Sequence, residues 1–279
     1  MLNFSKAIYI FLIAALWQSC SKENNFITPA EYAGTKILIH KGGGGKPYGI
    51  YQPNSLDACK EGLKYADGIE IDIQKSRDGT AWLFHDEYFL ECGTNNKTRL
   101  TEYTDDEINS HIACVGNNYS LTKLEDVFSY YQANHLDKLI HLDIKPWLPS
   151  IYSDGLGYLN KLGDEIIRLA EKYDMKKRLI IECEDALLLN QFRNNSSNYQ
   201  LYLDSFGDFE TGMKKAMKAN YTGLSCKVKD DNLSKEMIDE MHRNGLKVDV
   251  WTIDEDTDIN KYISWKADFI LTDNIQFVQ

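Results

Sequence analysis

Gly68-Ile-Glu-Ile-Asp-Ile-Gln-Lys-Ser-Arg-Asp-Gly-Thr-Ala-Trp-Leu-Phe-His-Asp86 reads as a strand, a tight turn and a second strand. Ile69, Ile71 and Ile73 alternate with Glu70, Asp72 and Gln74, so the isoleucines share one face and the two carboxylates the other. Arg77-Asp78-Gly79 supplies turn chemistry. A second apolar run, Ala81 to Phe84, ends on His85-Asp86. Two carboxylates on one strand face repel each other unless a cation lies between them. An oxygen-rich pair of this kind suits Mg2+ or Ca2+. A solvated strand face would also account for the pair alone, so its surroundings have to decide.

Upstream, Ile37-Leu38-Ile39-His40 is a short apolar strand ending in a histidine, followed by Lys41 and four glycines, Gly42 to Gly45. Such a run permits close backbone approach to a ligand, although a loose loop is the simpler expectation. Asn54 and Ser55 can cap a helix over 56–66. Downstream, Thr104-Asp-Asp-Glu107 has capping-box form. Leu139-Ile-His-Leu-Asp-Ile-Lys145 is a strand whose alternation places His141, Asp143 and Lys145 on one face, closed by Pro146. Helix and strand then recur, with strands predicted over 178–183, 199–204, 223–228, 246–253 and 268–272. Short strands alternating with amphipathic helices predict parallel βα units and a single (β/α)8 TIM-type barrel, an α/β fold. The pattern yields nine strand candidates, one more than such a barrel uses. In these barrels functional groups sit at the C-terminal ends of strands. His40, Glu70, Asp72, His85, Asp143 and Lys145 all lie at or near such ends.

The chain has 279 residues, 43% of them hydrophobic and 26% charged, which is ordinary globular composition with length enough for one large core. A formal net charge of −11 argues against a nucleic-acid partner. Residues 1–19 have the form of a lipoprotein signal peptide: Lys6, then an apolar run from Ala7 to Trp17 that is too short to span a bilayer, then Ser19-Cys20. Cys20 would carry the lipid, 20–33 would be a polar tether, and 34–279 the barrel domain. The expected location is the bacterial cell envelope, with the protein lipid-anchored to the membrane and facing the periplasm or the cell surface. Of the remaining cysteines, Cys183 and Cys226 lie in apolar runs and are expected to be buried thiols. Cys92 and Cys114 flank a polar segment and are candidates for a bridge.

Taken in order, these motifs resemble the glycerophosphodiester phosphodiesterases, within the larger phosphatidylinositol-phospholipase-C-like barrel group. The resemblance spans about residues 36–279. It rests on His40-Lys41-Gly42, Asn54-Ser55, Gly68-Ile-Glu-Ile-Asp-Ile73, Asp78-Gly79 with His85-Asp86, Leu121-Thr-Lys-Leu-Glu-Asp-Val127, Leu142-Asp-Ile-Lys145, Val250-Trp-Thr-Ile253 and Thr272-Asp273. It implies one divalent cation, Ca2+ or Mg2+, held by Glu70, Asp72 and Asp143. It implies His40 and His85 as an acid/base pair, and Lys41, Asn54, Lys145 and Trp251 against the substrate. Three positions depart from the family pattern: Lys41 stands for Arg, Pro53 for Glu, and Asp143 for Glu.

The chemistry is coherent without the resemblance. A phosphodiester anion must be neutralised before a nucleophile approaches, which a metal and a lysine can do. Two histidines can take up and return protons near neutral pH. The expected function is metal-dependent hydrolysis of a small phosphodiester to a phosphomonoester, such as glycerol 3-phosphate, and an alcohol. The alternative is a non-catalytic surface lipoprotein that binds a phosphorylated or sugar ligand in a degenerate site. A carboxylate-pair glycosidase fits the two histidines and the lysine less well.

Overall fold

The computed structural model describes residues 32, 34–90, 97–110, 120–147, 155–229 and 232–279. The expected signal peptide, Cys20, and the expected Cys92–Cys114 bridge lie outside the described residues. The strands in chain order are β1 (Lys36–Ile39), β2 (Gly68–Lys75), β3 (Ala81–Leu83), β4 (Phe89–Leu90), β5 (Lys97–Thr98), β6 (Thr122–Lys123), β7 (Leu139–Ile144), β8 (Leu179–Cys183), β9 (Gln200–Asp204), β10 (Gly223–Lys227), β11 (Lys247–Trp251) and β12 (Phe269–Thr272). The helices are α1 (Leu56–Tyr65), α2 (Asp105–Ser110), α3 (Leu124–Ala133), α4 (Gly155–Lys172), α5 (Ala186–Asn195), α6 (Phe209–Ala219), α7 (Lys235–Arg243) and α8 (Asp256–Ser264). No helix among the described residues is long and apolar enough to cross a membrane.

β1, β2 and β7 to β12 run parallel, and β1 pairs with both β2 and β12, so the ring closes into an eight-stranded barrel. The ninth strand candidate is β3, which turns back antiparallel to β2 with Ile73 opposite Leu83. Arg77-Asp78-Gly79 makes that reversal, with Gly79 at φ 100°. β3 therefore carries His85 to the barrel mouth from outside the ring.

Both faces of β2 are buried. Ile69, Ile71 and Ile73 point outward into the core between barrel and helices, with Leu142, Val127 and Phe128. Inside the ring, Leu38, Ile180, Tyr202, Phe269 and Leu271 form a smaller apolar plug. Above it the interior turns polar: Glu70, Asp72, His141, Glu182, Ser225 and Asp249 are each at most 1% exposed. A solvated strand face is therefore ruled out for Glu70 and Asp72. The parallel register stacks these side chains, with Glu70 beside His141, Asp72 beside Asp143, Asp143 beside Glu182, and Ser225 beside Asp249.

The Ser55 cap, the Thr104–Glu107 box and the buried thiols of Cys183 and Cys226 are realised as the sequence predicts, and further caps join them. Ser55 accepts a bond from the Ala58 N–H at the start of α1. Asp185, Asp208 and Ser234 do the same for α5, α6 and α7, each cap being worth about 1 kcal/mol. Thr104 and Glu107 bond reciprocally. Cys59, Cys183 and Cys226 are buried free thiols. The glycine run is not a loose loop. A Cβ on Gly44 would lie 2.2 Å from the Asp273 carbonyl, so the run approaches the barrel's own backbone.

Gly62 sits inside α1, where glycine ordinarily costs up to about 1 kcal/mol relative to alanine. A Cβ there would lie 1.9 Å from the Gly42 carbonyl, which is backbone and cannot swing away. Gly62→Ala should therefore destabilise by about 1–3 kcal/mol, as overpacking does, despite the better helix propensity. It should also lower activity by displacing the His40–Gly42 loop. A melting temperature equal to or above that of the unaltered chain would contradict this contact.

Candidate active site

The C-terminal ends of the barrel strands surround a hollow of about 180 Å3, whose wall includes His40, Glu70, His85, Asp143, Lys145 and Trp251. A larger hollow of about 650 Å3 lies at the opposite end, where two of its charged groups are tied to backbone. Asp67 accepts the Ile37 N–H at 2.9 Å, and Lys138 donates to the Ala66 carbonyl at 2.5 Å.

His40 follows β1, and its Nδ1 lies 2.9 Å from Asp273 Oδ1, a residue just past β12. Nε2 is the ring atom left toward the hollow, 3.8 Å from Glu70 Oε2. Lys41 turns through φ 52°, so that its N–H reaches Glu70 Oε2 at 2.8 Å. Its side chain borders an adjoining hollow with Asn54, His85 and Asp86. His85 Nδ1 lies 2.8 Å from Asp86 Oδ1, and Trp147 Nε1 donates to the His85 carbonyl at 3.3 Å. Both histidines thus have Nδ1 engaged by a carboxylate and Nε2 free of that partner.

Glu70, Asp72 and Asp143 each offer one oxygen within 4.8 Å of the others. Asn54 uses both ends of its amide on Asp72, donating from Nδ2 to Oδ2 at 2.7 Å and accepting the Asp72 N–H at 3.1 Å. Asn54 therefore holds the carboxylate and also borders the adjoining hollow. Lys145 Nζ lies 3.0 Å from Asp72 Oδ1 and also bonds Asp143 Oδ2. Trp251 lines the hollow, with Lys227 Nζ 5.1 Å from its ring centroid.

Burial works against charge on Asp72, but Lys145, His85, Lys41 and His40 outweigh it and lower the carboxyl to about 2. Burial pushes Asp143 up to about 6; Lys145 opposes this, while Glu182 and Asp72 add to it. Glu70 is raised by burial and by its two carboxylate neighbours. Burial works against the charge of Lys145, but Asp143 and Asp72 raise it on balance. A cation among these carboxylates would relieve their mutual repulsion. The residues fit such an ion: the three donors are all oxygen, and the buried Glu70 Oε1 has no hydrogen-bond partner.

Several groups at the mouth escaped the sequence analysis. Asp273 was visible only as part of Thr272-Asp273, without a role. Glu182, Asp204, Trp147 and Lys227 also line the hollow. The last residue of a strand is the positional signal for Asp204 and Lys227, and Glu182 shares the inward alternation of its strand.

Closed barrel, strand-end histidines and convergent carboxylates place the chain among barrel proteins with a polar site at the C-terminal ends of the strands. Comparison with known proteins makes this specific. Residues 40–277 match the model of the glycerophosphoryl diester phosphodiesterase family. The chain belongs to that family and is a phosphoric diester hydrolase with a small-molecule phosphodiester substrate. A glycerophosphodiester phosphodiesterase from Caldanaerobacter subterraneus subsp. tengcongensis is 22% identical over 246 residues, covering 86% of this chain and 94% of the relative. Among solved structures, a phosphodiesterase from Oleispira antarctica, in complex with the product sn-glycerol-3-phosphate, superposes with a TM-score of 0.70 at 17% identity, covering 88% of this chain and 95% of that one. A glycerophosphodiester phosphodiesterase from Parabacteroides distasonis gives the same TM-score, identity and coverage, 0.70, 17%, 88% and 95%.

Asp204 yields a pH prediction. Burial, with Glu182 adding to it, pushes its carboxyl from 3.8 up to about 8. The folded chain then keeps a proton that the unfolded chain has lost. The contribution to stability is complete below 3.8 and disappears as pH rises towards about 8. Chelator-treated protein should melt at a lower temperature at pH 8 than at about pH 5, and Asp204→Asn should flatten part of that slope. A melting temperature that rises over this interval would contradict the assignment.

Proposed function

We propose that this chain hydrolyses glycerophosphodiesters or related head-group diesters to a phosphomonoester, such as glycerol 3-phosphate, and an alcohol, with one divalent cation held by Glu70, Asp72 and Asp143. One observation carries this proposal: three oxygen donors converge beside two strand-end histidines in a chain of this family. An all-oxygen donor set suits Ca2+ or Mg2+. The bound ion would supply charge neutralisation at the phosphate oxygens. Lys145 adds a second positive charge at the same place, and the Lys41 side chain a third nearby. His40 and His85 exchange protons at Nε2. One takes the proton of the attacking oxygen and the other returns one to the leaving alkoxide. Asp273 and Asp86 fix the ring orientations that this requires. Trp251 forms an apolar wall for the alcohol group.

Release of alcohol from glycerophosphodiesters, measured with EDTA and with added Ca2+ or Mg2+, tests the proposal directly. His40→Ala and His85→Ala should each lower turnover by roughly two to four orders of magnitude, the worth of a positioned acid or base. The double variant should lose far less than the product of the two, since the pair acts as a unit. Asp72→Asn should lose Ca2+ or Mg2+ binding in calorimetry while keeping its fold. Wild-type turnover in both histidine variants would remove this mechanism. No turnover of any diester by the unaltered protein would favour the binding-only alternative.

We extend the proposal to location: Cys20 is lipidated, and the barrel is tethered to a membrane of the bacterial cell envelope. The short apolar run ending at Ser19-Cys20 supports this. Cys20→Ala should leave the protein unprocessed or release it from the membrane fraction. Absence of fatty-acid label on the unaltered protein would exclude the anchor.

A further inference from the structure

Beneath the mouth, three inward side chains from different strands meet. His141 comes from β7, Glu182 from β8 and Asp249 from β11. None is more than 1% exposed. Each offers one ligand atom within 4.8 Å of the others. His141 Nε2 lies 2.8 Å from Glu182 Oε2, and Nδ1 lies 3.5 Å from Asp249 Oδ2. Glu182 Oε1 and both oxygens of Asp249 are buried without a hydrogen-bond partner. The Tyr202 hydroxyl shares that condition, on a ring whose centroid is 6.3 Å from that of His141.

Such an arrangement is expensive unless something completes it. A buried polar atom without a partner costs about 1–3 kcal/mol, and barrels of this class ordinarily fill their interior with Val, Ile and Leu. A proton on His141 would balance one of the two carboxylates and leave the other without a countercharge. A dication balances both and gives the unpartnered oxygens a ligand. The donor set also differs in kind from Glu70, Asp72 and Asp143. It includes an imidazole, which suits borderline ions such as Zn2+ rather than Ca2+ or Mg2+. A metal held by one ring nitrogen, at bonds of about 2.0–2.2 Å, requires the carboxylate that faces the other nitrogen to swing toward it.

We propose that His141, Glu182 and Asp249 form a second cation site, of the Zn2+ class, enclosed in the barrel next to Glu70 and Asp143. It is a structural site, since its ligands are at most 1% exposed. Glu182 connects the two levels, because it stands beside Asp143 in the register.

Metal counting on the full-length protein, dialysed against equal Zn2+ and Ca2+ and measured by plasma mass spectrometry, tests this without any turnover. The unaltered chain should retain about one Zn2+, and X-ray absorption at the zinc edge should show an imidazole in a mixed N/O shell. Asp72→Asn, which disrupts the upper site, should keep that ion. Asp249→Asn should weaken it by at least about 100-fold. Unaltered protein that retains no Zn2+, or loss of Zn2+ from Asp72→Asn, would overturn the proposal. So would an NMR spectrum showing His141 protonated and metal-free in the Zn2+-dialysed protein. If Asp249→Asn does not fold, the first two samples still decide.

Discussion

A carboxylate taken out of water into a closed barrel must be met by a positive charge, a proton or a full set of donors, and Glu70, Asp72, Asp143, Glu182 and Asp249 all stand inside this ring. The mouth is arranged around that requirement. Lys145 bridges Asp72 and Asp143, and Asn54 holds both the backbone and the side chain of Asp72. The Lys41 N–H bonds Glu70. The turn that presents this N–H depends in turn on α1, which can approach the Gly42 carbonyl only because Gly62 has no side chain. A packing constraint in a surface helix is thereby tied to the charge state of a carboxylate inside the barrel.

Much of the fold was legible because two periods were written plainly. Alternation in Gly68–Lys75 separated an apolar from a carboxylate face, and helix–strand recurrence over residues 139–272 named the architecture. The surplus strand could not be resolved from pattern alone, because Ala81–Leu83 is as apolar as a barrel strand. Only its pairing direction excludes it. The faces of β2 also invert the usual expectation, since the isoleucines point away from the barrel axis and the charges point toward it. Helices cover the outer face of the sheet, so an apolar strand face belongs outside the ring and a polar one can be enclosed.

The site was legible where groups lie close in sequence and obscure where folding alone brings them together. Glu70 with Asp72, and Asp143 with Lys145, are two residues apart. Asp273 reaches His40 across the closure of the ring, a separation of 233 residues. Glu182 and Asp249 meet His141 from two further strands, each in a run that reads as ordinary buried strand. Asn54 was noticed, but a sequence cannot say which of two nearby polar groups an amide will choose.

The antiparallel entry of β3 divides the machinery into a cast part and a hinged part. Carboxylates, lysine and His40 are built into the ring or its immediate edge, and ring closure sets their spacing. His85 arrives on a hairpin outside that closure and is steadied by Asp86 and the indole of Trp147. Evolution can therefore lengthen, tilt or redecorate this arm and so alter the gap between the two imidazoles, while the carboxylate cluster beneath stays the same. In such a design, diversification over leaving groups of different bulk needs no rebuilding of the barrel.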